Sequence, residues 1–333
     1  MDVFVNPAFA PGRVPAPSDE AQAFHAALEG YAPTPVRELP SLAAAFGLAA
    51  VGLKDESDRM GLPAFKILGA SWATERVLRE APGTHTLVAA SAGNHGRAVA
   101  RVAAGRGLAA RIYLPARSIQ SRRDAIASEG AEVVVVEGTY EDAVTRAAAE
   151  GAEPGVSALT DTGAAGTAAW VIDGYATLFA ETQAQFEADV IVVPAGVGSL
   201  AAAAARHGAA FGIAVVAVEP DTAPCLTASL AAGAPTAITT SGTTMAGLDC
   251  AEISPAAWPS LRYGIAGTLV VSDREASLAV EELDELGLAI GPCGAATLAA
   301  LRKLVGANEL GRALGLGASS RLLLIATEGR TDR

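Results

Sequence analysis

The sequence predicts an α/β protein in which mostly parallel strands are flanked by helices on both faces. Among its 333 residues, 51% are hydrophobic and 18% are charged, a balance that supports a large buried core and argues against disorder. From Thr86 onward, short apolar segments alternate with helical segments of about a dozen residues, as expected for strands linked by crossover helices. The chain has no internal repeat or low-complexity linker, which favours one large or two closely associated domains.

Before Thr86 the pattern is less regular. Pro, Ala and Gly dominate residues 1–20 and predict an irregular arm, and two prolines keep residues 31–35 extended. The other elements predicted here are a helix from about Asp19 to Gly30, a helix at 41–46, a strand at 50–54, a polar loop at 54–59, and a helix that opens at Lys66 and runs to about Glu80.

From Thr86 the apolar runs predict strands and the periodic segments predict helices. The predicted strands are 86–90, 110–114, 132–136, 156–160, 189–193, 213–218, 267–271 and 321–326. The predicted helices are 94–106, 120–129, 140–150, 167–186, 199–207, 274–286 and 294–305. Ligands of such sheets bind in the loops that follow the strands, so these loops are the first place to look for function.

Composition excludes several classes of function. The formal net charge is −12 and Lys and Arg do not cluster, so nucleic acid is not expected as a partner. No apolar run of about 18 residues predicts a membrane span, and no basic leader with an apolar core predicts secretion, which favours a cytoplasmic protein. Three scattered cysteines and four histidines without metal-binding spacing predict neither a disulfide framework nor a metal site.

Lys66 is the first candidate for chemistry. It lies in an apolar segment bordered by Gly61 and Gly69, with no acidic neighbour in the sequence. Desolvation disfavours the ammonium form, which makes the free amine a nucleophile toward carbonyl groups and then a base. A lysine that packs its stem and keeps its head in water would show the same pattern. Lys66 is therefore a candidate Schiff-base lysine that needs support from other residues.

Four glycine-marked loops follow predicted strands, at residues 91–96, 196–201, 291–296 and 326–332. The loop at 91–96 reads Ser-Ala-Gly-Asn-His-Gly and presents backbone amides at a helix start, a position that suits a carboxylate. Asp161 directly follows the strand at 156–160 and would point into the same cleft. It is a candidate base, although an aspartate at such a position is more often a helix N-cap.

The loop at 196–201 has two interpretations. Gly-x-Gly-x-x-Ala after a strand, with Glu219 ending the next strand, is the dinucleotide fingerprint and would indicate a NAD-dependent dehydrogenase. The same loop could bind a single phosphate, with Ser199 adding a hydroxyl at the helix start. The loop alone does not decide between these two functions.

Five motifs together resemble the fold-type II pyridoxal-phosphate enzymes, the tryptophan synthase β-like group. In the order in which that group has them, they are Ala-Phe-Lys66-Ile-Leu-Gly, Ser-x-Gly-Asn94-His-Gly, Gly196-Val-Gly-Ser, Cys293-Gly-Ala and Thr-Glu328-Gly. Within the group the chain is most similar to the diaminopropionate ammonia-lyases, through stretches such as Asp173-Gly-Tyr-Ala-Thr and Met245-Ala-Gly-Leu-Asp-Cys. The resemblance covers nearly the whole chain.

The resemblance implies pyridoxal 5′-phosphate as the cofactor and a role for each matched residue. Lys66 would hold the cofactor as a Schiff base, and Lys66 or Asp161 would remove the α-proton of an amino acid. Cys293 would face the pyridine nitrogen and leave it largely unprotonated, which favours elimination over transamination. The implied cofactor-binding residues are Lys66, Phe65, Asn94, Gly196, Val197, Gly198, Ser199 and Cys293, and the implied substrate-binding residues are Ser91, Ala92, Gly93 and His95.

The resemblance also implies the architecture and the reaction. We expect two open, twisted, mostly parallel sheets, in a large domain of residues 1–85 and 155–333 and a smaller mobile domain of residues 86–154 that closes over the substrate. The implied enzyme is a homodimer that eliminates the β-amino group of L-2,3-diaminopropionate, giving pyruvate and two ammonia. Intact Lys66 and Asn94 argue against a non-catalytic binding protein.

Two departures from the family bear on the substrate. Ala92 stands where the family commonly has an aspartate, a second acid that could act on the opposite face of the substrate. Its loss predicts a preference for the L-isomer. The small residues at 162–166 replace a bulky aromatic and acidic run, so an L-serine or L-threonine dehydratase on the same scaffold remains an alternative.

Overall fold

A computed structural model describes residues 2–163, 166–306 and 308–330. The chain divides into two compact units, one formed by residues 1–65 and 176–333 and the other by residues 66–175. The predicted small domain of residues 86–154 falls within the second unit, and its closure over a substrate stays a prediction.

The strands and helices largely follow the predicted alternation. The strands are β1 Val3–Val5, β2 Val36–Glu38, β3 Ala50–Asp55, β4 Thr86–Ala90, β5 Ala109–Pro115, β6 Glu132–Val136, β7 Val156–Ala158, β8 Val190–Pro194, β9 Ala214–Pro220, β10 Ile265–Val271 and β11 Arg321–Ala326. The α-helices are α1 Glu20–Ala26, α2 Pro40–Phe46, α3 Ile67–Glu80, α4 Asn94–Gly105, α5 Gln120–Ala127, α6 Tyr140–Glu150, α7 Thr167–Gln185, α8 Ser199–Phe211, α9 Cys225–Ala232, α10 Trp258–Gly264, α11 Asp273–Glu285, α12 Pro292–Val305 and α13 Glu309–Ala313. Within the described ranges, no helix combines the length and the apolar character that crossing a membrane requires.

Each unit contains one sheet, which confirms the predicted fold class. The first unit has seven strands in the order β1-β10-β9-β8-β11-β3-β2, and the five central strands are parallel. The second unit has four parallel strands in the order β6-β5-β4-β7. All residues of β8 and β10 are buried, as expected for parallel strands that helices cover on both faces.

The prediction of an irregular arm at residues 1–20 was wrong at its start. Residues 3–5 form β1, which pairs antiparallel with β10 at the edge of the large sheet. Asn6 then fixes the arm, because its Nδ2 donates hydrogen bonds to the carbonyl oxygens of Arg262 at 2.9 Å and Ile265 at 2.7 Å. The strand was not recognised because it has three residues and its partner lies more than 250 positions further along the chain.

The polar loop predicted at 54–59 contributes to a buried ionic cluster of Lys54, Glu56, Arg59 and Glu181. These four side chains are at most 2% exposed. Glu181 accepts hydrogen bonds from Lys54 at 2.7 Å and from two nitrogens of Arg59 at 2.7 and 2.8 Å, and Arg59 also donates to both oxygens of Glu56. The two positive and two negative charges balance, so the cluster holds the loop that precedes Lys66 without a net buried charge.

Candidate active site

Lys66 occupies the N-cap position of α3. Its backbone already has helical angles, and its carbonyl oxygen accepts a hydrogen bond from Ala70 N at 3.1 Å. The side chain is 23% exposed, and Nζ lies 3.2 Å from Oδ2 of Asp161. No acid neighbours Lys66 in the sequence, so the fold supplies this partner. An amine and a carboxylate at this distance can share or exchange a proton.

A contact between glycines fixes where α3 begins. A β-carbon on Gly69 would lie 2.6 Å from the Tyr175 ring, and one on Gly174 would lie 2.6 Å from the backbone of α3, so only glycines permit this approach of α3 to α7. The first residue of α7 accepts a hydrogen bond through its hydroxyl from Thr160 N at 3.3 Å. This bond connects the residue before Asp161 to the start of α7, the helix that packs on α3.

Asp161 is ionised in this arrangement. Burial by itself raises the pKa of its carboxyl, but the positive charges of His95 and Lys66, with the hydrogen bond from Lys66, lower that pKa to about 2. Because the low pKa depends on nearby cations, it rises when Lys66 is neutral. Asp161 then becomes a stronger base, at the stage when Lys66 carries no charge.

The loop at 91–96 leads from β4 into α4. Ser91 Oγ accepts a hydrogen bond from Gly93 N at 3.3 Å, and Gly93 is the N-cap residue of α4 with an extended backbone. Asn94 is the first helical residue and is half-buried. The N-cap residue has no side chain to accept from the amides of the first turn, so this helix end suits a carboxylate from outside the chain.

A small pocket adjoins Asp161 in the same unit. Its volume of about 10 Å³ gives room for roughly one water molecule. Polar side chains line it from α4, α6 and the loop after β7. Its lining residues are Ala90, His95, Tyr140, Val144, Ala147, Thr160, Asp161 and Thr162.

The loop at 196–199 forms a backbone cradle in the first unit. Gly198 is the N-cap of α8 and has a positive φ of 92°, a conformation that favours glycine. A β-carbon on Gly198 would lie 2.5 Å from Leu261, and one on Gly196 would lie 2.8 Å from Gly247 O. Ser199, the first residue of α8, is buried. Glycines and a helix start without a side-chain cap are the composition of a phosphate site.

The dinucleotide interpretation of this loop depended on Glu219 as the acid that contacts the ribose, and the structure gives Glu219 another role. Glu219 is fully buried, and its two carboxylate oxygens accept hydrogen bonds from Leu226 N at 2.6 Å and Thr227 N at 2.8 Å. Thr227 Oγ1 donates a further bond to it at 2.7 Å. Glu219 therefore caps the N-terminus of α9 and cannot reach the ribose hydroxyls of a dinucleotide.

Glu219 also gives the stability of the fold a pH dependence. Burial raises the pKa of its carboxyl to about 7, against an ordinary value of 4.5, so folding favours the protonated form. We expect the free energy of unfolding to fall by about 3 kcal/mol as the pH rises from about 4.5 to 7, relative to the Glu219→Gln variant. Urea unfolding of both proteins at pH 5 and pH 8 measures this difference, and parallel pH profiles would contradict the prediction.

Cys293 and Phe65 also lie in the first unit. Cys293 is the second residue of α12, and its Sγ lies 3.3 Å from the position of a β-carbon on Gly247, which also borders the 196–199 loop. Burial and the nearby carboxylate of Glu328 raise the pKa of the Cys293 thiol well above its ordinary value, so the thiol stays protonated. Phe65 is buried, and its backbone N donates to Thr327 O at 3.5 Å.

Two residues near these groups were not identified from the sequence as parts of the site. The Lys66 Nζ lies 5.8 Å from the ring centroid of Tyr175, and burial raises the pKa of that phenol to about 12, which keeps it protonated. Glu328 was noted only as part of a motif, and its carboxylate lies beside Cys293. Both belong to stretches that carried the family resemblance, but a matching stretch does not state what each side chain contacts.

Comparison with known proteins identifies the family. The family model described as pyridoxal-phosphate dependent enzyme matches residues 27–327. Diaminopropionate ammonia-lyase from Escherichia coli is 33% identical over 94% of this chain and 88% of the relative. Biosynthetic L-threonine dehydratase from Corynebacterium glutamicum is 30% identical over 82% of this chain and 64% of the relative.

A solved structure of a diaminopropionate ammonia lyase is also similar to this chain. The crystal structure of diaminopropionate ammonia lyase from Escherichia coli in complex with an aminoacrylate-PLP azomethine reaction intermediate superposes with a TM-score of 0.89. Its sequence is 31% identical, and the match covers 99% of this chain and 94% of that chain. The residues present here fit the cofactor in kind: a lysine amine, a glycine loop at a helix start in which a β-carbon on Gly196 or Gly198 would clash with neighbouring protein atoms, and a protonated thiol. The chain belongs to the family of pyridoxal-phosphate-dependent enzymes.

Proposed function

We propose that this enzyme eliminates the β-amino group of L-2,3-diaminopropionate and releases pyruvate and two ammonia. The observation that carries the proposal is the Lys66 amine 3.2 Å from the Asp161 carboxylate, in the same unit as the carboxylate-binding type of loop at 91–96. Elimination needs a proton taken from the α-carbon, and this pair can take it. The identity to diaminopropionate ammonia-lyase over most of both chains supports the choice of substrate.

The residues of the second unit handle the substrate. Lys66 is the residue that would hold the cofactor carbonyl through its amine, and its free amine would serve as a base once the substrate is bound. The loop of Ser91, Ala92, Gly93, Asn94 and His95 binds the substrate carboxylate at the start of α4. Asp161 lies beside Lys66 and either receives the α-proton or holds the lysine for that task. When bound, pyridoxal phosphate supplies the electron sink that stabilises negative charge at the α-carbon.

The remaining assignments concern how the cofactor is held. We assign its phosphate to Gly196, Val197, Gly198 and Ser199, and its pyridine nitrogen to Cys293. Since the Cys293 thiol keeps its proton, it is too weak an acid to protonate the ring, which favours elimination over transamination. Phe65 precedes Lys66 and would lie beside the ring, and Asn94 would bond the phenolic oxygen of the cofactor.

A panel of amino acids tests the proposal together with Asp161→Asn. We expect two ammonia per pyruvate from L-diaminopropionate, less turnover of the D-isomer because Ala92 replaces an acid, and a fall in kcat of about 10²- to 10⁴-fold in the Asp161→Asn variant. A coupled pyruvate assay with ammonia quantification measures all three. Asp124→Asn removes an exposed carboxylate of the same unit and should leave kcat unchanged. No pyruvate from any substrate would refute the proposal.

An L-serine or L-threonine dehydratase is the second candidate. The threonine dehydratase relative supports it, and so do Ala92 and the small residues at 162–166, of which Ala164 and Ala165 lie outside the described residues. Turnover of serine or threonine without turnover of diaminopropionate would establish this candidate over the first.

We further propose a cytoplasmic homodimer acting on a small amino acid. The family resemblance supports the dimer, and the described cysteines, all free thiols, fit a reducing compartment. Light scattering of the purified enzyme measures the mass, and a monomeric mass would contradict the dimer.

A further inference from the structure

One ring nitrogen of His95 lies within hydrogen-bond distance of a backbone carbonyl oxygen, and the other has no hydrogen-bond partner among the described residues. The side chain is 4% exposed, and Nε2 lies 3.0 Å from the carbonyl oxygen of Leu159. A carbonyl oxygen only accepts hydrogen bonds, so Nε2 carries a hydrogen. In the neutral ring, Nδ1 is then a bare acceptor, and among the described residues it has no hydrogen-bond partner.

A buried nitrogen without a partner is uncommon and points to a ligand, a water or a proton that occupies it during function. His95 lines the small pocket that also holds Asp161, Thr160 and Tyr140. The ring lies close enough to Asp161 for its positive charge to stabilise that carboxylate.

We propose that His95 is the acid that protonates the departing β-nitrogen. The inference rests on the proposed function and names a group that the resemblance placed only in the carboxylate-binding loop. Lys66 and Asp161 are assigned to the removal of the α-proton, which leaves the His95 ring of the same pocket without a role in that step.

The step balances as follows. The β-nitrogen enters the step as the neutral amine. The bond from the α-carbon to its hydrogen breaks, the proton passes to the neutral Lys66 amine, and the electron pair left behind forms the double bond between the α- and β-carbons. The bond from the β-carbon to nitrogen breaks, and its electron pair leaves with the nitrogen, which takes the proton from Nδ1 and departs as ammonia. His95 returns to the neutral ring with hydrogen on Nε2, and a proton from solvent restores the acid.

The test compares two leaving groups in the His95→Gln variant. Glutamine keeps an N–H donor for Leu159 O and carries no proton that titrates. With L-diaminopropionate we expect kcat/KM to fall by about 10²- to 10⁴-fold. With 3-chloro-L-alanine, whose chloride departs without a proton, we expect a fall of no more than about threefold. His95→Asn is the second variant if the first does not fold.

The outcomes separate the possibilities. Equal losses with both substrates would show a merely structural histidine and overturn the inference, as would no loss with either. If the wild-type enzyme does not act on diaminopropionate, the proposed substrate fails while the inference is tested with L-serine, whose hydroxyl also needs a proton to leave. Turnover of chloroalanine alone by the wild-type enzyme would refute both.

A second readout needs no turnover. In the apoprotein we expect nitrogen-15 NMR to show that Nε2 of His95 carries a hydrogen, as its contact with Leu159 O requires. The chain has four histidines, so subtraction of the His95→Gln spectrum assigns the signals. An Nδ1–H tautomer would contradict the proposed donor position.

Discussion

Lys66→Ala is expected to abolish turnover and covalent attachment of the cofactor. The variant lacks the amine to which we assign the binding of the cofactor carbonyl and the role of base beside Asp161, so we expect kcat to fall by at least about 10⁴-fold. Borohydride reduction of the wild-type enzyme should attach the cofactor to Lys66, which peptide mass mapping detects. The same treatment of Lys66→Ala should leave the protein unlabelled.

The composition of the chain makes this mapping simple. The sequence contains three lysines, and the other two are engaged in the structure. Lys54 is buried between Thr34 O and Glu181, and Lys303 bonds to Val270 O and Glu275. Lys66→Arg is the matched control, because it keeps a positive charge near Asp161 without a nucleophilic amine. A label on Lys54 or Lys303, or a labelled Lys66→Ala protein, would refute the assignment.

Among the substitutions proposed for this protein, Glu181→Gln is expected to lower the free energy of unfolding the most. Glu181 accepts hydrogen bonds from Lys54, Arg59 and Tyr31, and despite burial, which opposes the charge, Arg59 and Lys54 lower the pKa of its carboxyl. Neutral glutamine would leave two buried cations facing the single carboxylate of Glu56. Removal of one partner from a buried ion pair costs about 3–5 kcal/mol. Urea unfolding at pH 7 measures the loss.

An exposed ion pair provides the comparison. Arg79 and Glu75 interact on the surface of α3, where Arg79 is 55% exposed, and Arg79→Ala should cost no more than about 1 kcal/mol. Equal losses in the two variants would show that the buried ionic cluster contributes no more than a surface pair. Since the carboxyl pKa of Glu181 is lowered, its contribution is present above the ordinary pKa and is lost as the pH falls toward acid.

Most strands and helices could be predicted from the sequence, because the patterns that specify them lie within short stretches of the chain. The strand at 86–90 and the helix at 140–150 have the bounds that apolar runs and helical spacing indicate. The site depended on a different kind of information, because motif order identified Lys66, Asn94 and Cys293 without stating their contacts. Asp161 was found as an acid after a strand, but only the folded chain brings it to Lys66.

The features that were missed depend on distant partners. Lys54 and Arg59 belong to a loop that was predicted only as polar, and charged residues are normally exposed, yet Glu181, more than 120 positions away, pairs with both of them in the interior. In the same way Val3–Val5 form a strand only because β10 presents an edge. No periodicity within the loop or the arm could have revealed either pairing.

The packing of α3 on α7 and the lining of the pocket next to Asp161 depend on different residues. Gly69 and Gly174 let the backbones of α3 and α7 approach each other, whereas different side chains, on α4, α6 and the loop after β7, line the pocket next to Asp161. A side chain of that lining can therefore change without a change in the packing of α3 on α7. A β-carbon on either glycine has the opposite effect, because it would force the two helices apart at the start of α3.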